Sequence, residues 1–259
     1  MKVSSNQQYN QKFEAKLISQ WKCTNRKGSS RNVSILELEQ LDVEYFKNFR
    51  KNLDKYNHIQ QIRQAIIDAS SNTISAVLQN MTGVFQKVKM LMAVHDGKPC
   101  GLLIANIPKQ MPVIDTKVYS TRHNPAKNET EIDWLVTWNP NKNENLKGVG
   151  KALVGEYFRT VKKDGFRDVF VRSEIPENSN AVYFYESIGF ERISDKRVKL
   201  VNKNTGKYLV NNFSEPDDDV IPMIIVKSKI EEKSKELATT MNRREFVKSS
   251  IDINELVEN

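Results

Sequence analysis

Cysteine is nearly absent from this chain of 259 residues: only Cys23 and Cys100 occur. Two cysteines are too few for a disulfide framework, and theirs is not metal-ligand spacing. Histidine is nearly as scarce, and His58, His95 and His123 are scattered, so no structural metal is expected. Long apolar runs are missing as well, since no stretch approaches the roughly 20 residues that a membrane-spanning helix needs. The opening residues, Met1 to Gln8, lack the apolar core of a secretory signal, so the expectation is cytoplasmic residence with no membrane partner. No internal repeat is visible.

The hydrophobic share of 39% and charged share of 28% are those of a soluble globular protein. The length allows one elaborated domain or two small ones. Net charge is +8, from 40 Lys plus Arg against 32 Asp plus Glu. The basic residues are spread along the chain rather than gathered with interleaved aromatics, so nucleic acid is not an expected partner.

Residues 1–32 are polar, with one weak amphipathic stretch at Phe13, Leu17, Ile18 and Trp21, and are read as an arm. Residues 33–38 favour a strand, after which Asp42 is placed to cap a helix carrying Tyr45, Phe46, Phe49 and Leu53. Apolar residues from Ile59 to Leu78 recur at helical spacing. Two strands, 90–95 and 100–105, flank Asp96-Gly97, a dipeptide suited to a hairpin turn. The stretch 108–130 reads as a long loop or an irregular hairpin. A strand–loop–helix–strand–helix–strand block follows, with strand Glu131–Trp138, helix Gly148–Lys163, strand Asp168–Arg172, helix Asn178–Ile188 and a strand from Phe190. A last strand, Met223–Val226, closes a domain spanning 33–226, and residues 227–259 read as a charged helical tail that packs one thin face through Ile230, Leu237 and Met241.

Two segments of that block carry chemistry. Gly148-Val149-Gly150 opens a helix directly after a polar loop, so backbone N–H groups converge on one spot unobstructed by side chains. That spot suits phosphate: the helix dipole is positive there, and Lys147 and Lys151 offset anionic charge. The second segment is Asn178-Ser179-Asn180-Ala181-Val182-Tyr183-Phe184-Tyr185-Glu186-Ser187-Ile188-Gly189-Phe190, a helix with Asn178 as its cap and Gly189 as its stop.

In this order the two segments resemble the GNAT superfamily of acetyltransferases, which carry an Arg/Gln-x-x-Gly-x-Gly/Ala turn followed by an Asn-x-x-Ala-x-x-x-Tyr-x-x-x-Gly-Phe helix. The second motif is matched at every position, while in the first Asn145 stands where the family has Arg or Gln and the loop before Gly148 is slightly longer. The resemblance implies an α/β (α+β) fold with a mixed, mostly antiparallel sheet, splayed between the family's fourth and fifth strands and flanked by helices. It also implies acetyl-CoA as co-substrate, a primary amine on a protein, peptide or polyamine-like cation as acceptor, and a monomer or homodimer. Tyr185 becomes the expected general acid. Glu131 and Asp133, two apart on a strand and so on one face, are candidate bases. Leu135, Val136, Thr137 and Trp138 are expected along the pantetheine, with Asn178, Ala181 and Tyr185 opposite. Asn145, Leu146, Lys147, Gly148, Val149, Gly150 and Lys151 are expected around the pyrophosphate. Glu215-Pro216-Asp217-Asp218-Asp219 supplies an acidic wall for a cationic acceptor. The alternative is a non-catalytic acyl-CoA sensor or scaffold on the same fold.

Overall fold

Asp96 and Gly97 both adopt positive φ, 47° and 75°, as a tight hairpin turn requires, and they join two long strands whose register they fix. The computed structural model describes residues 14–38, 86–108, 129–140, 144–165, 168–174, 180–192, 200–201, 208–209 and 220–252. In chain order the elements are β1 (Glu14–Thr24), β2 (Ser30–Leu38), β3 (Gln86–His95), β4 (Lys98–Pro108), β5 (Glu129–Thr137), α1 (Val149–Lys163), β6 (Asp168–Glu174) and α2 (Ala181–Ser187). They continue with β7 (Glu191–Arg192), β8 (Leu200–Val201), β9 (Tyr208–Leu209), β10 (Val220–Val226), α3 (Lys227–Thr240) and β11 (Arg244–Asp252). The helices expected near residues 45–53 and 59–78, the loop 108–130, most of which is not described, and the acidic segment 215–219 lie outside the described residues.

The main sheet has the order β11-β1-β2-β3-β4-β5-β6-β10-β7, with β8 and β9 paired separately. Every neighbouring pair in it is antiparallel except β5 and β6. That one parallel step is the consequence of α1, a crossover helix between the two strands. Val149, Ala152, Leu153, Val154, Tyr157, Phe158 and Val161 of α1 are buried and share one apolar cluster with Val33, Ile35, Leu91, Leu103 and Ile132 of the sheet. This is the mixed, mostly antiparallel, GNAT-like α/β arrangement that the motifs imply.

The terminal segments correct the sequence reading. Residues 14–24 are not an arm but the strand β1, paired with β2 on one side and β11 on the other. The register shifts between Leu17 and Ser19 in both ladders, so Ile18 is an extra residue. A bulge shifts the phase of a two-residue alternation, which is why Leu17, Ile18 and Trp21 imitate helical spacing. Beyond it Ser19, Trp21 and Cys23 are buried in strict alternation. The tail is a helix only to Thr240; Asn242 turns the chain at φ 46°, and β11 returns beside β1. The thin apolar face is as expected, with Ile230, Leu237 and Met241 buried.

One buried charge network fastens these terminal segments to α1. Glu156, 4% exposed, accepts hydrogen bonds from Ser19 Oγ at 2.6 Å and Trp21 Nε1 at 3.2 Å. Arg243 forks onto the same carboxylate through Nε at 2.8 Å and a terminal nitrogen at 2.9 Å, and lies 6.0 Å from the Trp21 ring centroid. Burial opposes the Arg243 charge, yet hydrogen bonds and charge from Glu156 and Glu245 outweigh it and hold the guanidinium above its ordinary value. Trp21 also explains Gly155: a Cβ there would come within 2.7 Å of the indole, so only glycine lets helix and strand approach.

Candidate functional site

The parallel pairing of β5 with β6 runs from Glu129–Asp168 to Ile132–Val171 and stops. β5 continues to Thr137 against β4, while β6 continues to Glu174 against β10. The two strands therefore part beyond Ile132 and Val171, and β5 leads from that split to the entrance of α1. The splay that the resemblance implies thus falls between β5 and β6 in this chain.

A bulge marks the same place. In the β4–β5 ladder Ile104 opposes Trp134 and Ala105 opposes Ile132, which leaves Asp133 as the extra residue. The simple alternation that would put Glu131 and Asp133 on one face is therefore broken, a correction to the sequence expectation. Glu131 is buried at 6% exposure and Asp133 is half-buried. Both bear on Tyr157 of α1, whose hydroxyl lies 2.5 Å from Thr130 Oγ1. Burial pushes that phenol far up, the Thr130 hydrogen bond pulls it down, and the charges of Asp133, Asp164 and Glu131 add to the rise. Tyr157 therefore stays protonated and is a structural phenol.

Beyond the bulge Leu135 and Val136 are half-buried, Thr137 is exposed and Trp138 is buried. The Trp138 amide donates to the Cys100 carbonyl at 3.0 Å, which keeps the strand's end on β4. Asn139 Oδ1 accepts from the Leu146 amide at 3.1 Å and closes the loop before α1. Within that loop Asn145 and Lys147 are exposed and Leu146 is half-buried.

Gly148 caps α1 at φ 96°, a left-handed conformation that side chains disfavour, with no side-chain cap. The first helical hydrogen bond runs from Ala152 N to Gly148 O at 2.9 Å. The amides of Val149, Gly150 and Lys151 thus sit in the first turn, where no preceding helical carbonyl can accept them. Gly148 and Gly150 are partly exposed, Lys151 is half-buried and Val149 is buried in the core. The neighbours are Met241 and Cys23 beside Gly148, and Phe184 and Thr137 beside Gly150. Burial pushes the Cys23 thiol up to about 12, so this neighbour is an uncharged thiol.

Across the split, α2 packs on β6. Tyr185 is 7% exposed, belongs to the same apolar cluster as Ile132 and Val171, and meets Phe184 and Phe190 edge-on at 5.2 and 5.3 Å. Ala181 is half-buried. The helix begins with Asn180 as its cap, whose side chain makes no capping hydrogen bond, while Asn178 lies outside the described residues.

Sequence reasoning missed three features here. Thr24 of β1 exchanges backbone hydrogen bonds with Lys147, at 3.1 and 2.7 Å, so the N-terminal strand braces the loop. Ser173 Oγ on β6, past the split, and Trp138 Nε1 are buried with no hydrogen-bond partner among the described residues. Buried polar atoms without partners are costly in a folded protein and mark places where a ligand's amide or hydroxyl fits. Free first-turn amides, a parted strand pair and partnerless polar atoms beside it match the needs of a pantetheine diphosphate.

No family model and no curated protein sequence matches the chain. Solved structures matching across most of it include GNAT acetyltransferases. One is a putative GNAT-family acetyltransferase from Desulfovibrio desulfuricans, 13% identical, covering 74% of this chain and 98% of its own, with TM-score 0.44. Another is the PaiA N-acetyltransferase from Thermoplasma acidophilum in complex with coenzyme A, 15% identical, covering 75% and 98%, with TM-score 0.42. A third is an aminoglycoside acetyltransferase in complex with coenzyme A, 17% identical, covering 77% and 98%, with TM-score 0.46. Among the described residues no helix is long and apolar enough to cross a membrane. By its own strand order, its single splayed parallel step and its crossover helix, the chain has the GNAT-like α/β fold.

Proposed function

We propose that this protein is an N-acyltransferase that moves an acyl group, acetyl in the simplest case, from coenzyme A to a primary amine. The observation that carries the reading is the parting of β5 from β6 beyond Ile132 and Val171, directly before the glycine-lined entrance of α1. The pantetheine lies in the split, and the diphosphate is held by the amides of Val149, Gly150 and Lys151 with Lys147 and Lys151 for charge. The amine attacks the thioester carbonyl, the new C–N bond forms as the C–S bond breaks, and the Tyr185 hydroxyl protonates the departing thiolate. Glu131, or Asp133 through water, takes the proton that the amine sheds. The acceptor is a protein or peptide amine or a small polycation.

A specific observation favours a second reading. The Lys147 amide is committed to the Thr24 carbonyl, and Asn145 replaces the family's Arg or Gln, so the loop offers fewer donors than the motif implies. A protein with that loop binds acyl-CoA as a sensor without transfer. Thiol release from acetyl-CoA, followed across a panel of amines, separates the two. Transfer requires at least one amine to accelerate release, and Tyr185→Phe to lower kcat about a hundredfold while coenzyme A still binds. Gly148→Ala, which forces a side chain into the left-handed region, should weaken coenzyme A binding about tenfold by moving the first-turn amides. Binding without amine-dependent release sinks the transferase reading and leaves the sensor.

A further inference from the structure

We propose that His95, Asp96 and Glu144 form a binding site for a divalent transition-metal cation, which pins the segment leading into α1 to the β3–β4 turn. His95 closes β3 and is 3% exposed. Its Nδ1 lies 2.7 Å from the Asn32 carbonyl on β2. A carbonyl only accepts, so Nδ1 carries the hydrogen, which in the neutral tautomer leaves the lone pair on Nε2. That Nε2 is closed off from solvent and has no hydrogen-bond partner among the described residues.

It is nevertheless crowded by negative charge. Asp96 Oδ2 and Glu144 Oε1 each lie 3.3 Å from Nε2, neither in line for a hydrogen bond, and the three atoms lie within 4.8 Å of one another. Three acceptors facing one point repel unless a cation sits among them. Ligands placed tetrahedrally at about 2.0–2.1 Å from Zn²⁺ are about 3.3 Å apart, the separation of each carboxylate oxygen from Nε2 here. An imidazole whose other nitrogen donates to a backbone carbonyl is the usual form of a metal-bound histidine, because that hydrogen bond fixes both tautomer and ring orientation. One imidazole with two carboxylates suits a first-row divalent ion such as Zn²⁺ over Mg²⁺ or Ca²⁺, which favour oxygen throughout. The Asp96 side chain is 78% exposed, which gives the ion a path in and leaves its remaining position to water.

Arg31 Nε donates to Glu144 Oε1 at 3.0 Å. An incoming ion competes with that guanidinium for the carboxylate, so the arginine lowers affinity. Glu144 directly precedes the loop that ends at Gly148, while His95 and Asp96 belong to the central hairpin. An ion shared among them holds the α1 entrance against the sheet.

The test is calorimetric titration of the metal-stripped full chain with Zn²⁺, backed by the visible absorption of Co²⁺ in the same site. One ion per chain is expected, with Asp96→Asn and Glu144→Gln each weakening binding about 10- to 100-fold. Arg31→Gln should tighten it. Asp96 lies on an exposed turn, so its variant stays folded even where His95→Gln does not. No saturable binding overturns the proposal, as does binding equally tight in Asp96→Asn and Glu144→Gln, which would place the ion elsewhere. Coenzyme A is absent from the experiment, so its outcome is independent of the acyltransferase reading.

Discussion

Two buried polar centres in this protein have opposite constructions. At Glu156 each charge is answered: Ser19, Trp21 and Arg243 converge on one carboxylate, and the guanidinium is buried with it at 7% exposure. At His95 two carboxylate oxygens lie 3.3 Å from Nε2, and Nε2 has no hydrogen-bond partner among the described residues, although Arg31 answers Glu144 at 3.0 Å. A closed centre contributes to holding the fold, because removing one partner strands the others in low dielectric. A centre in which Nε2 has no such partner should contribute less to the fold, and it is the one the proposed cation would complete.

The largest effect should come from opening the closed centre. Arg243→Ala leaves Glu156 buried without its countercharge and should cost about 3–5 kcal/mol in denaturant unfolding. Replacing both partners with apolar residues, Glu156→Leu with Arg243→Met, should recover most of that loss, since no charge is then stranded. The thiol of Cys23 reports the same event. Its folded value of about 12 lies above the unfolded value of 9.0, so the stability it contributes is complete below pH 9.0 and is lost as pH rises toward 12. At pH 8 it should resist alkylation in the native protein and become reactive in Arg243→Ala. Rapid alkylation in both proteins would mean that β1 is not clamped.

A middle-sized effect tests how that centre is packed. Alanine in place of glycine at an exposed helical position gains about 1 kcal/mol. At Gly155 the added Cβ would meet the Trp21 ring at 2.7 Å, so Gly155→Ala should instead lower stability by about 1–3 kcal/mol. A raised melting midpoint would show that the indole can withdraw and that the network is looser than its distances imply.

These centres also mark the limit of what was legible in the sequence. The hairpin at Asp96-Gly97, the helix opened by Gly148, the helix carrying Tyr185 and the apolar face of α3 are each encoded within a short segment, where periodicity and turn chemistry act locally. The closed centre joins Ser19 to Glu156 across 137 positions and Glu156 to Arg243 across 87, and the polar β1 and β11 signal no strand until each supplies the other's hydrogen bonds. His95 and Asp96 meet Glu144 only through the tertiary fold, which is why three scattered histidines gave the expectation of no structural metal. Bulges hid the rest: the extra residue at Ile18 disguised a strand, and the one at Asp133 broke the shared face expected of Glu131 and Asp133.

The smallest expected effect sharpens the contrast most. Asp96→Asn removes a carboxylate from beside the His95 lone pair on a turn where φ is 47°, a conformation that asparagine tolerates as well as aspartate. In metal-free buffer its stability should therefore stay within about 0.5 kcal/mol of the parent. A gain within that range agrees with relief of repulsion between acceptors. A loss above about 1 kcal/mol would mean that His95 already carries a proton and is ion-paired with Asp96, in which case both centres are closed and the second has no vacancy for an ion.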